Sequence, residues 1–495
     1  MISRRAVLSL PWACAAAIAA PSRVAGQTAS PLTIGLSLRP ESLDPTRSAA
    51  AVVGEVVHSN ILEGLTCIRE NGQVAPLLAE HWDVSLDRLR YRFRLRDGVI
   101  FHDGARLDAG VAAGSLRRAQ ALGAANSLVE TFRNIQDIQT PDERTVLLTL
   151  KHPDPLLPFR LGQPPAAIVH PGSADQTSRR PIGTGPYRFA GWQDTGDVDL
   201  VRWPGYRDAG SVRIPAARFH FIPDPERQVR AVLDQRVDVL FGAATSSVDR
   251  LKDSRHYEVL VGSSSGKGMV VVNHRRAPLG DVRVRQAITH AIDREVFIRD
   301  VLRQRAQAIG SHFVPTDPDY INLTSLYPYD PDRARALLRA AGVRAPLRLD
   351  LTLPPTPYAL FGGPVVARYL ADVGIQVDLV RVSWARWMST VFQGDFDLSV
   401  ITHVEPLDYA IYTRPDFYFG YDSADFRALV VRHAVSSNPR EQGQLFRQMQ
   451  RHLAHDAVNA WVFSPDIGTV VRKGLKGVPM NYPVFAHDIG SMYWT

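Results

Sequence analysis

Between Arg88 and Arg96, five arginines alternate with Leu89, Tyr91, Phe93 and Leu95. A sustained period of two is the pattern of a β-strand with one buried and one wetted face. Asp97-Gly98 and Asp103-Gly104 supply turns on either side of a second short strand, Val99 to Phe101, before a short helix ending at Ser115-Leu116. An all-helical chain is thereby excluded. The arginines read as a solvated sheet face, because a nucleic-acid surface needs a basic stripe with aromatics free to stack. Here Tyr91 and Phe93 share the buried face instead.

The N-terminus obeys different rules. Arg4-Arg5 precede Ala6 to Ala20, a run without charge, and Val24-Ala25-Gly26 offers small residues for cleavage near Gln27. This is a signal-peptide layout over residues 1–26, and the arginine pair resembles a twin-arginine leader, which places the mature chain in the periplasm. The run is too short for a membrane anchor and is broken by Pro11. Cys14 raises a lipoprotein alternative, but Pro11 and Trp12 do not suit a lipid-modification box. Of the two cysteines only Cys67 survives cleavage, so no intramolecular disulfide is possible. The formal net charge of +7 loses three leader arginines, leaving a mild excess on a chain of 495 residues, long enough for two or three lobes.

Further along, Leu32 to Leu38 reads as a strand, Val52 to Leu62 as a helix, and Pro153 to Pro181 as irregular crossing chain. Gly268 to Asn273 reads as a buried strand. Val284, Ala287, Ile288 and Ala291 mark one face of a helix, and Asp293 can cap the next. Asp330, Pro331 and Gly342 bracket another helix. A strand (347–353), a helix (365–373), a strand (375–382), a helix (384–393) and a strand (396–401) then alternate, which argues a mostly parallel α/β lobe.

Five motifs stand in order along the chain: Ser42-Leu43-Asp44-Pro45, Glu63-Gly64-Leu65, the Ala75–Leu116 segment, Arg180-Pro181-Ile182-Gly183-Thr184-Gly185-Pro186-Tyr187, and Pro278 to Asp293. Together they resemble the peptide- and nickel-type (family 5) extracytoplasmic solute-binding proteins of bacterial ABC importers. The chain departs from that family at Arg88, where a turn glycine is usual, at Gly110, where an acid is usual, and at Trp203, where an asparagine is usual. The resemblance implies an α/β, bilobal periplasmic-binding-protein fold of type II, the large peptide-binding class, with an extra inserted subdomain. Lobe one would comprise 32–50, 185–270 and 468–495, the insert 51–184, and lobe two 271–467. It further implies a monomer that captures a small peptide-like solute and hands it to a membrane permease with its ATPase. No catalytic residue, cofactor, resident metal or nucleic-acid partner is expected.

For the site, the resemblance points to Asp408, since an aspartate near this place in peptide-binding members accepts the ligand's ammonium group. A carboxylate in a dry cleft binds a cation strongly. Glu405 and His403 precede it after a strand end, where ligands meet α/β sheets. These two depart from the usual family text. Tyr409 and Trp384 are candidate aromatic walls, and Met269 and Asn273 lie on the crossing strand where the family places cleft contacts. The acidic pair Glu405 and Asp408 suggests a cationic or zwitterionic solute, with a metal chelate held through His403 as an alternative. Gly262-Ser263-Ser264-Ser265-Gly266 formally fits a serine-hydrolase elbow, but that turn must run from strand into helix, and here another strand follows. His452 and His455 read as a solvated helix face.

Overall fold

One 13-residue strand, Ala460–Arg472, binds two halves of the molecule into a continuous sheet. In the computed structural model, which describes residues 31–48, 50–243 and 245–495, its first half pairs with Lys267–Val272 and Ala306–Ala308. Its second half pairs with Tyr257–Ser263 and Val239–Leu240. Tyr257–Ser263 and Lys267–Val272 are separated only by Ser264-Ser265-Gly266, so a second chain segment crosses at the same place. The leader and its cleavage site lie outside the described residues. Among the described residues no helix is long and apolar enough to cross a membrane.

On one side the sheet continues through Leu32–Leu36, Ala216–Phe221, Val198–Arg202 and Tyr187–Trp192 over a core around Ile34, Val57 and Phe219. On the other it runs through Leu398–His403, Leu347–Leu353 and Ile375–Arg381 over a core around Val284, Ile288 and Leu351. The expected mostly parallel lobe is corrected to a mixed sheet. Leu347–Leu353 pairs parallel with both neighbours, because helices carry the chain across between them. Leu398–His403 then meets Lys267–Val272 antiparallel.

The arginine-rich segment forms Arg90–Leu95, an interior strand of a separate four-stranded sheet, with Tyr91, Phe93 and Leu95 buried against Leu116 and Leu148. Val99 to Phe101 makes only a bridge, Ile100 to Arg106, since two tight turns leave too little chain for a strand. Arg88 sits at φ +54°, a left-handed turn position that favours glycine and disfavours arginine. The helix expected over 52–62 spans only Ala51–Val57; His58 is extended and Ser59 lies at φ +65°. The helix expected over 365–373 starts earlier, at Pro357. That over 384–393 breaks at Ser389, with a short turn ending at Gly394, φ +84°.

Gly183 and Gly185 explain the glycine-rich motif. A Cβ on Gly183 would lie 1.9 Å from the Ile61 carbonyl oxygen, and one on Gly185 would lie 2.4 Å from that of Asn60. Only glycine permits this approach, and the Gly185 and Tyr187 amides then donate to the Ile61 and Asn60 carbonyls at 3.0 and 2.9 Å. Beside it, Thr184 donates to buried Glu63, which Arg207 grips with two bonds of 2.7 and 2.8 Å. The motif is therefore a structural joint.

Candidate functional site

A cavity of about 920 Å³ lies between these bodies. One wall comes from Pro45, the start of the Ala51–Val57 helix and the insert segments 127–134 and 151–165. The facing segments are Val404 to Arg414 and the end of the Ala424–Val435 helix. Of the residues singled out from sequence, Glu405, Asp408 and Tyr409 line it.

The wall loop is built at the end of strand Leu398–His403. The chain turns through Val404, Glu405, Pro406 and Leu407, with Leu407 at φ +52°, before a short turn of helix at Tyr409–Thr413. A leucine in the left-handed region costs roughly 1–2 kcal/mol, so other contacts must hold the loop. Ser265 donates to the Val404 carbonyl at 2.7 Å, and the Lys267 ammonium reaches the Glu405 carbonyl at 2.5 Å.

Lys267 also meets Asp408 Oδ1 at 2.9 Å, and its side chain is only 2% exposed. His312 Nε2 donates to the same oxygen at 2.8 Å. His312 Nδ1 accepts from the Tyr412 hydroxyl at 2.8 Å, and that hydroxyl accepts from Asn459 Nδ2. On the other oxygen, His403 Nδ1 lies 3.4 Å from Asp408 Oδ2, while its Nε2 pairs with the Tyr418 hydroxyl at 2.8 Å. Asp408 thus faces three protein N–H donors.

Burial alone would raise the Asp408 pKa, but the Lys267 charge and the histidine donors hold it well below the usual carboxylate range. Burial pushes His312 down to about 4, so it stays neutral. Asp317, whose carboxylate accepts from the Val314 amide at 2.9 Å, is pushed up to about 6 by burial, against the pull of Lys267. Burial likewise raises the Tyr412 and Tyr418 hydroxyls, which remain protonated and able to donate.

His312, His403 and Asp408 place potential metal-ligand atoms within 4.8 Å of one another. Lys267 already supplies the positive charge there, and both ring nitrogens of each histidine are engaged. That disfavours a divalent ion and a chelate held through His403.

The remaining candidates are not brought to the cavity. Met269 is 1% exposed within an aromatic core that includes Trp461 and Tyr412. Asn273 spends its amide on the Gly394 and Phe396 carbonyls. Trp384 packs its ring edge-on against Trp387, 5.8 Å away, and stays largely exposed. Ser264 donates to the Pro465 carbonyl at 2.7 Å and strand Lys267–Val272 follows, so no nucleophile elbow forms. His452 bonds Ser423 at 3.0 Å.

Sequence reasoning missed five residues. Lys267 carried a signal, because a lysine beside an apolar strand must find a partner if buried. His312 carried none. Asp154 and Arg160, an ion pair in the insert, line the cavity, as does His433, whose Nδ1 is buried without a partner among the described residues. Burial pushes His433 down to about 4, so it presents a neutral imidazole.

The model of "Bacterial extracellular solute-binding proteins, family 5 Middle" matches residues 73–423. Glutathione-binding protein GsiB of Escherichia coli O1:K1 / APEC is 24% identical over 472 residues, 90% of this chain and 89% of the relative. Di/tripeptide-binding protein 2 of Pseudomonas aeruginosa (strain UCBPP-PA14) is 26% identical over 433 residues, 81% of this chain and 80% of the relative. The structure of the binding protein AgaA in complex with agropinic acid, from A. tumefacien R10, superposes with a TM-score of 0.76 at 23% identity. The match covers 94% of this chain and 98% of that one, and the bilobal α/β fold is shared.

Proposed function

The chain belongs to family 5 of the bacterial extracellular solute-binding proteins, which serve ABC importers, and from that premise we propose that it captures a small cationic or zwitterionic, peptide-like solute in the 920 Å³ cavity. The observation that carries this reading is the distribution of charge around that cavity. Among the described residues Glu405, exposed on one wall, pairs with no cation and Lys151, on the other, pairs with no acid, whereas the cavity's Arg133, Arg160 and Arg414 are already paired with Glu130, Asp154 and Asp416. A zwitterion spanning the cavity satisfies both ends. Tyr409 and His433 add an apolar face and a neutral hydrogen-bonding group.

This revises the role expected for Asp408. Its carboxylate is engaged internally, so a solute ammonium would have to displace a protein donor. We assign Asp408 to holding the wall loop and Glu405 to meeting the solute's cation. By their names GsiB binds glutathione and the other relative binds di- and tripeptides, which supports a peptide-like solute. The protein acts as an exported monomer, closes over solute and delivers it to a permease and ATPase, making and breaking no bond.

Mass spectrometry of small molecules released from the natively purified protein identifies the solute. Calorimetry with that compound should then show binding to Glu405→Gln weakened about tenfold, the loss of one charge-assisted contact. Unchanged affinity removes Glu405 from the site. Failure to recover or bind any small molecule removes the cavity reading itself.

A further inference from the structure

A second cavity, of about 870 Å³, shares no lining residue with the first. It forms where the loop after Leu32–Leu36, the turn at His102-Asp103, the crossing chain at Arg179-Arg180 and strand Tyr187–Trp192 come together. Four arginines line it: Arg39, Arg179, Arg180 and Arg188. Among the described residues none of the four makes an ion pair. Two acids, Asp103 and Asp194, also line it, and Asp103 lies 3.6 Å from His170.

Packing holds two of these guanidinium groups in place. Arg179 lies over the Trp192 ring at 5.1 Å, and that ring is itself fixed by a 3.0 Å bond from Nε1 to the Gly196 carbonyl. Gly196, at φ +97°, makes room for Arg39: a Cβ there would come within 2.5 Å of the Arg39 Cζ. Four guanidinium groups outnumber the two carboxylates, Asp103 and Asp194, that share this concavity, and the excess positive charge favours the entry of an anion. Guanidinium groups fixed in advance lose little freedom when it does, and their paired N–H donors match the oxygens of a phosphate.

We propose that this concavity is a binding site for a phosphate-type oxyanion carrying two or more negative charges, separate from the solute cleft. The oxyanion belongs either to a free polyphosphate or to an anionic lipid headgroup.

The test titrates the full chain with inorganic pyrophosphate by calorimetry, and separately sediments it with vesicles of phosphatidylglycerol or of phosphatidylcholine. Saturable binding that weakens about tenfold or more in Arg179→Gln/Arg188→Gln, and that falls with added salt, supports the site. The control Arg106→Gln, a side chain 76% exposed elsewhere on the insert, should bind like the parent. Pyrophosphate binding assigns a free oxyanion; binding confined to phosphatidylglycerol vesicles and lost in the double variant assigns a headgroup. No binding to either probe, or binding retained by the double variant, overturns the proposal. Because the solute cleft shares none of these residues, the solute released from the double variant should be unchanged either way.

Discussion

Lys267→Met tests the central claim about the cleft wall, that a buried internal ion pair holds it. Nζ sits 2.9 Å from Asp408 Oδ1 in a side chain 2% exposed, against a carboxylate side chain 15% exposed. Breaking a buried pair by removing one partner costs about 3–5 kcal/mol. His312 and His403 remain to solvate Asp408, so the cost of Lys267→Met should fall near the lower bound, about 3 kcal/mol. Asp408→Asn strands the buried ammonium on the Glu405 carbonyl and should cost more. The double variant removes both charges and should cost less than the two singles together, leaving a coupling of about 2–3 kcal/mol.

Hydrogen exchange at the amides of Leu398–His403 and Lys267–Val272 reads this locally and does not require the lobes to unfold as one. The pH dependence carries a sign. Asp408 is depressed in the fold, so its contribution is complete above the unfolded value near 3.9 and is lost as pH falls through the folded value. The parent should therefore lose this stabilisation as pH falls below about 4, whereas Lys267→Met, without the charge that lowers Asp408, should lose less of it over the same range. Additive single effects, within about 0.5 kcal/mol, would refute the pairing.

Gly183→Ala drives a methyl group into the Ile61 carbonyl, 1.9 Å from the position of its Cβ. It should cost more than about 3 kcal/mol, read as lost soluble yield and a lowered unfolding midpoint; a neutral result would show that the close approach is not required. Asp317→Asn should stabilise the protein at pH 8 by about 1–2 kcal/mol, after allowance for solvent, and by little at pH 4. The fold holds the Asp317 proton up to about pH 6, so stability falls as pH rises from about 3.8 toward that value. Denaturation at the two pH values checks this, and equal effects at both would contradict it.

Local chemistry made much of the fold legible. Asp330, Pro331 and Gly342 bracket a helix because cap, first turn and left-handed exit each act within a few residues. The Arg90–Leu95 strand follows from alternation alone. The mixed sheet was not legible, because strand partners such as Lys267–Val272 and Leu398–His403 are chosen by packing between distant segments. Within the site, Glu405 could be located because it follows a strand end, Asp408 because the family resemblance points to it, and Tyr409 as an aromatic beside them. His312 could not, since 96 residues separate it from Asp408. Met269 sits in a strand buried along its whole length, so alternation could not say which face meets a cleft.

The wall loop is fastened to the crossing as well as to its own lobe. Ser264, Ser265 and Gly266 join the two strands that cross between the halves, and Ser265 and Lys267 reach out from that joint to Val404, Glu405 and Asp408. Ser264 meanwhile ties the joint to the other crossing strand through the Pro465 carbonyl. A change in the angle between the crossing strands therefore acts on the loop through hydrogen bonds, over a contiguous path. Ser265→Ala isolates this link. The Val404 residue is 43% exposed, so water can replace the lost donor at its carbonyl and the stability cost should stay under about 1 kcal/mol. Leu407 then loses one of the contacts that offset its left-handed backbone, and the loop should sample other conformations. Solute affinity should fall by about threefold to tenfold, by calorimetry, out of proportion to stability. Affinity that tracks stability would mean that the serine only braces the fold and that the crossing does not govern the wall.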